Sequence, residues 1–193
     1  MSNRQIKRAL SLIIAIGFFI ALAWQNSPSP KTESAQPDAD LPSMQVASNA
    51  NAYVIHVVDG DTITVKLDSD PNLEVKVRLL GINTPETVDP RRPVECFGKQ
   101  ASDFAKELLS HQRVRLEADP EADEIDKYGR LLRNVYLPDG TDVNALLVAD
   151  GYANAYVSFP QNQERKAELR RLESEARQAE RGLWNPTVCP TTD

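Results

Sequence analysis

The 193-residue sequence has only two cysteines and two histidines, too few and too widely spaced for the common metal and redox clusters. Cys96 and Cys189 lie 93 positions apart, so no CxxC motif is present. His56 and His111 are equally isolated, which excludes a zinc ligand set and a Ser-His catalytic pair. GxSxG, Walker A and GxGxxG motifs and the DxDxDG loop of an EF-hand are also absent. The sequence therefore excludes the catalytic, nucleotide-binding and metal-binding chemistry that depends on these motifs.

The sequence also lacks an excess of positive charge. It has 22 Lys+Arg against 28 Asp+Glu, a formal net charge of -6. A protein that holds nucleic acid by its basic surface alone has the opposite sign. A polyanionic ligand would therefore need a metal ion or a local basic cluster, which argues against DNA packaging and leaves a metal-assisted enzyme open.

The N-terminal part of the chain has the composition of a targeting segment. Residues 1–24 combine a positively charged start, an apolar core and the small-residue pattern Ala21-Leu22-Ala23. The apolar run 9–24 is shorter than the roughly 20 residues that span a bilayer. Two interpretations stay open: a cleaved signal peptide or a retained anchor that attaches the chain to a membrane. Both predict an exported protein, secreted or periplasmic, and the Ser-, Pro- and Ala-rich residues 25–51 predict a disordered linker.

Residues 52–188 carry the pattern of a single folded domain, followed by a tail at 189–193. Alternating or β-rich runs predict five strands, at 52–58, at 63–67, at a run that ends with Leu79, at Val114 to Leu116 and at 131–137. Turns are predicted at 59–62 and 68–72, and helices over 97–110, 143–149 and 161–181. This order predicts an α+β, mainly β domain: a five-stranded OB-fold barrel with about three helices.

Three polar stretches stand at turns between these elements. They are DGDT at 59–62, RLLGINTPE at 78–86 and DKYGR at 126–130. Each alone has an ordinary structural explanation, because Asp-Gly favours turns, Asn and Thr cap backbone groups, and arginines form surface ion pairs. Together they supply carboxylates, oxygen ligands and two arginines.

In this order the three stretches resemble the staphylococcal nuclease (thermonuclease) family, and VNALLVADGYA at 143–153 extends the resemblance to roughly residues 52–184. The resemblance implies an exported, calcium-dependent endonuclease that hydrolyses DNA and RNA with little sequence preference. The expected products carry 3′-phosphates, and the expected state is a monomer.

The resemblance assigns Ca²⁺ to Asp61, to the Asn83 side chain and to the Thr84 carbonyl, all hard oxygen ligands of the type that calcium prefers. Asn83 departs from the family pattern, in which aspartate is common. An amide keeps the oxygen but removes one negative charge, so the sequence predicts weaker metal binding.

For catalysis, the resemblance implies that Glu86 activates or orients water and that Arg78 and Arg130 bind phosphate oxygens. The alternative for either arginine is an ordinary salt bridge. Lys127 and Tyr128 are expected to contact substrate, as is Tyr156, although the stretch AYVSFP shifts the family's aromatic pattern.

Two further questions stay open at the level of sequence. In an oxidising compartment Cys96 and Cys189 are available to each other, so the alternatives are a disulfide or two free thiols. The chain is either a nuclease or a catalytically weak nuclease-like OB module that binds nucleic acid or protein. A calcium-dependent structural protein is a third alternative. Retention of Arg78, Glu86 and Arg130 favours the enzyme, whereas Asn83 and the acidic balance favour the module.

Overall fold

The computed structural model describes residues 50–87, 89–91 and 93–190. The predicted targeting segment 1–24 and all but the last two residues of the predicted linker 25–51 lie outside these ranges. Within the described part of the chain, no helix combines the length and the apolar character needed to cross a bilayer.

The elements follow one another in an order close to the predicted one. The strands are β1 Ala52–Asp59, β2 Thr62–Leu67, β3 Asp70–Leu79, β4 Ile82–Asn83, β5 Arg113–Glu117, β6 Leu131–Tyr136 and β7 Asn154–Ala155. The helices are α1 Gly98–Leu109, α2 Val143–Ala149 and α3 Gln163–Gln178, followed by a 3₁₀ turn at Gly182–Trp184.

Five of these strands close into a barrel in the order β1-β2-β3-β6-β5. All neighbours are antiparallel except β3 and β6, which run parallel. The barrel is filled by branched aliphatic side chains with no exposed surface, among them Val54, Ile63, Val65, Val77 and Val135. The predicted mainly β, five-stranded OB-fold with three helices is confirmed.

The predicted turn at 68–72 is too long. β3 already begins at Asp70, and Lys66 pairs with Glu74 in a hairpin that includes an irregularity next to Leu67. Residues 70–74 are exposed, so they show no apolar alternation that would mark them as a strand. Asp70 and Glu74 pair with β2 on either side of the irregularity and so keep this segment in the strand, which the sequence pattern does not reveal.

The third helix is shorter than the predicted 161–181. Asn162 caps its start by accepting a hydrogen bond from the Arg165 amide, and the helix ends at Gln178. Glu180 then takes a positive φ of 51°, a backbone conformation that ends a helix. The short pair β4–β7 was not predicted, because two-residue strands joined across more than 70 positions leave no periodic signal.

The structure joins Cys96 to Cys189 in a disulfide, with the two Cα atoms 5.7 Å apart. Cys96 stands just before α1, and Cys189 lies beyond α3 and the 3₁₀ turn. The bridge thus fixes the C-terminal segment against the loop that precedes α1.

We expect the double variant Cys96→Ser/Cys189→Ser to lose about 4–5 kcal/mol of unfolding free energy in denaturant titrations, because a closed loop of roughly this length is restricted in the unfolded chain. Peptide mass analysis without reductant should show the linked pair. Two cysteines that react with alkylating reagent in the native, unreduced protein would contradict the bridge.

Candidate active site

One cleft at the mouth of the barrel brings the three polar stretches together. It is lined by all the predicted catalytic, metal and substrate residues: Asp61, Arg78, Asn83, Thr84, Glu86, Lys127, Tyr128, Arg130 and Tyr156. The structure therefore assembles the predicted set in one place, although the set comes from four separate parts of the sequence.

Strand register explains the convergence. Thr62 pairs with Arg78, and Arg78 pairs on its other side with Leu132. The amide of Leu79 also donates to the Asp61 carbonyl at 2.9 Å. The start of β2, the end of β3 and the start of β6 are therefore neighbours, and the turns attached to them share one end of the barrel.

Arg78 lies at the centre of the cleft. Its Nη2 is 3.0 Å from Asp61 Oδ2 and donates to Asn83 Oδ1, also at 3.0 Å. Its Nη1 donates to the Leu79 carbonyl at 2.9 Å. The Arg78 and Asp61 side chains are only 12% and 9% exposed. Burial lowers the pKa of the guanidinium, whereas the nearby Asp61 raises it, and an arginine remains charged in this setting.

Two oxygens contact this guanidinium, Asp61 Oδ2 and Asn83 Oδ1, and the Thr84 carbonyl lies beside the Asn83 amide; we call these three oxygens the oxygen cluster. Thr84 belongs to it through two hydrogen bonds, since its amide donates to Asp61 Oδ2 at 2.9 Å and its carbonyl accepts from Asn83 Nδ2 at 3.2 Å. The Thr84 hydroxyl is buried and has no hydrogen-bond partner among the described residues. Gly60 permits this packing, because a Cβ there would lie 2.7 Å from the Thr84 side chain.

The oxygen cluster fits a hard cation by the chemistry of its donors. A carboxylate, a side-chain amide and a main-chain carbonyl are all calcium ligands in proteins, and the unpartnered Thr84 hydroxyl adds polar surface beside them. Among the described residues, no group of three or more His, Cys, Asp and Glu is arranged to hold a metal. A calcium site here would therefore depend on the amide and the carbonyl as well as on Asp61.

Glu86 is held by the turn that carries it. Its Oε1 accepts from the amides of Thr87 and Asp89, at 2.9 and 3.1 Å. Its own amide donates to Glu95 Oε2 at 3.0 Å, and its carbonyl accepts from the Glu95 amide at 2.9 Å. The carboxylate is thus oriented at the edge of the cleft before any substrate arrives.

Asp59 stabilises the same turn from the barrel side. Its Oδ1 accepts from the Gly60 amide at 2.8 Å and from the Thr87 hydroxyl at 2.7 Å. Burial raises the pKa of Asp59, and these two hydrogen bonds offset only part of that shift. The sequence suggested turn chemistry alone for Asp59, and the contact with Thr87 is additional.

Arg130 is oriented by a different carboxylate. Its Nε and Nη2 contact Asp126 Oδ2 at 2.7 and 2.6 Å, and its Nη1 donates to the Thr62 hydroxyl at 3.3 Å. Asp126 Oδ1 accepts from the amides of Tyr128 and Arg130, each at 2.9 Å. Arg130 therefore lines the same cleft as Arg78 but has a separate ion-pair partner.

Exposed aromatic rings complete the cleft. The Tyr128 ring is 71% exposed, with the Lys127 ammonium 5.0 Å and the Arg130 guanidinium 5.3 Å from its centroid. Tyr156 packs against Phe159 with ring centroids 5.5 Å apart. These rings provide stacking surfaces beside the two arginines.

Sequence reasoning missed Glu95 and the orienting role of Asp126. Asp126 had a signal, because an Asp four residues before an Arg in a Gly-containing turn can fold back on it. Glu95 had none, since it is nine positions from Glu86 and the residues between them follow no periodic pattern.

The comparisons with known proteins agree with this site. A family model described as "Staphylococcal nuclease homologue" matches residues 76–186. A thermonuclease of Staphylococcus intermedius is 41% identical over 134 residues, which cover 69% of this chain and 76% of that protein. A thermonuclease of Staphylococcus hyicus is 39% identical over 142 residues, which cover 72% of this chain and 79% of that protein. A prophage-derived endonuclease of Bacillus subtilis is 37% identical over 128 residues, 66% of this chain and 42% of that protein.

The mouth of the OB-fold barrel brings together two arginines, a glutamate held by backbone amides and the oxygen cluster. Together with the thermonuclease and endonuclease relatives, this site defines a nuclease that hydrolyses phosphodiester bonds. More particularly, the chain belongs to the staphylococcal nuclease family. The family and the enzyme class predicted from the sequence are both confirmed.

Asp126 gives a test of how Arg130 is held. Burial alone raises the pKa of this carboxyl, but hydrogen bonds from Arg130 and from the Tyr128 amide outweigh burial, and the pKa lies below its ordinary value of 3.8. A depressed pKa stabilises the folded state above the unfolded pKa and loses that contribution as pH falls through the folded pKa.

We therefore expect Asp126→Asn to lower the unfolding free energy by about 1 kcal/mol at pH 7. The difference from the unmodified protein should shrink as the pH falls below about 3.8. Denaturant titrations at several pH values measure the difference, with Glu107→Gln at an exposed position of α1 as a control that should change the unfolding free energy little. A difference that does not depend on pH would contradict this account of Asp126.

Proposed function

We propose that the chain is an exported, calcium-dependent endonuclease that cleaves DNA and RNA with little sequence preference and leaves 3′-phosphates. The single observation that carries the proposal is the arrangement in the cleft. Two buried or half-buried arginines, a glutamate held by backbone amides and a cluster of hard oxygens face one another at the barrel mouth.

Asp61, Asn83 and the Thr84 carbonyl would hold the calcium ion. When bound, such an ion supplies positive charge that neutralises a phosphate and polarises its oxygens. This dependence on a cation is consistent with the net charge of -6, because the chain has no excess of positive charge to attract a polyanion.

Glu86 would accept a proton from the attacking water. The amides of Thr87 and Asp89 fix one carboxylate oxygen, so that the side chain is oriented without an entropic penalty at the moment of reaction. Water then attacks phosphorus, the bond from phosphorus to the 5′ oxygen breaks, and the phosphate remains on the 3′ side.

Arg78 and Arg130 would bind the phosphate oxygens, where charge increases in the transition state. Both guanidinium groups are pre-oriented, Arg78 by Asp61 and the Leu79 carbonyl, and Arg130 by Asp126. A planar fork matches two phosphate oxygens at once. Arg130, which lies beside the exposed Tyr128 ring, also assists the departing 5′ oxygen.

Low sequence preference follows from the type of contact available to the bases. Tyr128, Tyr156 and Phe159 offer exposed ring faces, and stacking on rings accepts every base. Lys127 adds a positive charge that can contact the backbone of the nucleic acid.

Export is supported by the composition of residues 1–24, with the domain acting outside the cytoplasm as a monomer.

A second candidate is a nucleic-acid-binding module of low activity. It is favoured by Asn83, whose amide gives the oxygen cluster only one carboxylate. Turnover by the purified chain on single-stranded DNA separates the two candidates, since a module would bind DNA and leave it intact.

The metal requirement is tested by removing the metal. We expect hydrolysis of single-stranded DNA to stop in excess chelator and to return with added calcium, and Asn83→Asp to lower the calcium dissociation constant by restoring a negative charge. Activity that persists undiminished in chelator would remove calcium from the mechanism.

The catalytic residues are tested by substitutions that keep charge or shape. Arg78→Lys and Arg130→Lys keep the charge but lose the fork, and each should reduce kcat about 10²- to 10³-fold. Glu86→Gln should reduce turnover similarly while binding of DNA survives. Single-turnover cleavage of labelled single-stranded DNA measures the rate, and circular dichroism checks the fold. Near-normal rates in all three variants would contradict the catalytic roles of Arg78, Arg130 and Glu86.

A further inference from the structure

The oxygen cluster already binds a cation that belongs to the chain itself. Arg78 Nη2 lies 3.0 Å from Asp61 Oδ2 and 3.0 Å from Asn83 Oδ1, and these are two of the three oxygens proposed to hold calcium. The guanidinium is 12% exposed, so the contact is largely shielded from water. Arg78 and a calcium ion therefore need the same two side-chain oxygens.

The oxygens have little capacity left for a second positive group. Asp61 Oδ2 accepts from the Thr84 amide as well as from Arg78, and Asp61 Oδ1 accepts from the Thr62 hydroxyl. Among the described residues, Asp61 is the one carboxylate that forms an ion pair with Arg78, and the other side-chain oxygen it contacts belongs to the Asn83 amide. One negative charge cannot balance both a guanidinium and a divalent cation in contact with the same oxygen, since the two cations repel each other.

We infer that Arg78 competes with calcium for the oxygen cluster, and that calcium binding moves the Nη2 end of Arg78 from Asp61 and Asn83 toward the substrate phosphate. This rests on the proposed function, because it takes Asp61 and Asn83 as calcium ligands. The competition sets the calcium affinity of the site, and it makes one of the two phosphate-binding arginines available only when the metal is in place.

The geometry allows such an exchange without unfolding the site. Nη1 of Arg78 is separately bound to the Leu79 carbonyl at 2.9 Å, so the side chain can pivot about that contact while Nη2 changes partner. Arg130 contacts Asp126 and the Thr62 hydroxyl, so it reaches Asp61 only indirectly, through the hydrogen bond that Thr62 donates to Asp61 Oδ1. Of the two arginines, Arg78 is therefore the one in direct contact with the oxygen cluster.

Arg130 also provides the matched control. Arg78→Met and Arg130→Met each remove one positive charge from the same cleft, but only Arg78→Met removes a group that contacts the oxygen cluster. A general electrostatic effect would change calcium binding similarly in both variants. Direct competition would change it mainly in Arg78→Met.

The test is calorimetric titration of calcium chloride into the full, disulfide-linked chain without nucleic acid. We expect the calcium dissociation constant to fall about tenfold in Arg78→Met and by less than about threefold in Arg130→Met. Arg78→Lys keeps the charge and serves as a second variant in case Arg78→Met does not fold. Its calcium dissociation constant should fall by less than in Arg78→Met, because an ammonium keeps the positive charge but cannot contact both oxygens as a planar guanidinium does. Circular dichroism and melting curves confirm that each variant is folded.

Two results overturn the inference. One is a calcium affinity that is unchanged or weaker in the folded Arg78 variants. The other is an increase in calcium affinity in Arg130→Met as large as that in Arg78→Met. Either result leaves the proposed function standing, provided that the unmodified chain binds calcium and needs it for cleavage. If the unmodified chain neither binds calcium nor loses activity in chelator, the proposed calcium dependence fails, and the competition fails with it.

Discussion

The ion pair between Arg78 and Asp61 is the interaction on which the barrel mouth depends. It joins the end of β3 to the turn before β2, with both side chains largely buried. Burying two charges is costly unless they are well paired and further hydrogen-bonded. Here Asp61 also accepts from Thr84 and Thr62, and Arg78 also donates to Asn83 and the Leu79 carbonyl, so the surrounding groups satisfy the pair and fix its geometry.

The remaining elements of the cleft are arranged around that pair by short local ties. Asp59 and Glu95 hold the Glu86 turn from two sides, and Gly98 at the start of α1 packs so closely that a Cβ there would lie 2.7 Å from Thr87. The disulfide at Cys96 adjoins Glu95, so the C-terminal segment also restrains this turn. A mobile loop would not hold the carboxylate in one place, and these ties supply the rigidity that a catalytic group requires.

How much could be predicted from sequence depended on whether the signal was local. The barrel strands around Ile63 and Val77 alternate apolar and polar residues because one face fills the barrel, so they could be found. The start of β3 at Asp70 could not, because residues 70–74 are exposed and belong to the strand through the pairing of Asp70 and Glu74 with β2. The end of α3 was misplaced for a similar reason: charged residues continue past Gln178, while the backbone turns at Glu180.

The sequence by itself determined the chemistry of the site: which positions carry guanidinium forks, which carry hard oxygens, and that residue 83 is an amide. It also determined the barrel, because alternation along a strand is a property of consecutive residues. Only the tertiary structure decided which groups meet. Arg78 binds Asp61 and Asn83 while Arg130 binds Asp126, and Glu95 closes on Glu86. The reason is physical: partner choice depends on strand register and on the path of irregular loops, and neither is encoded in the spacing of the residues that finally touch.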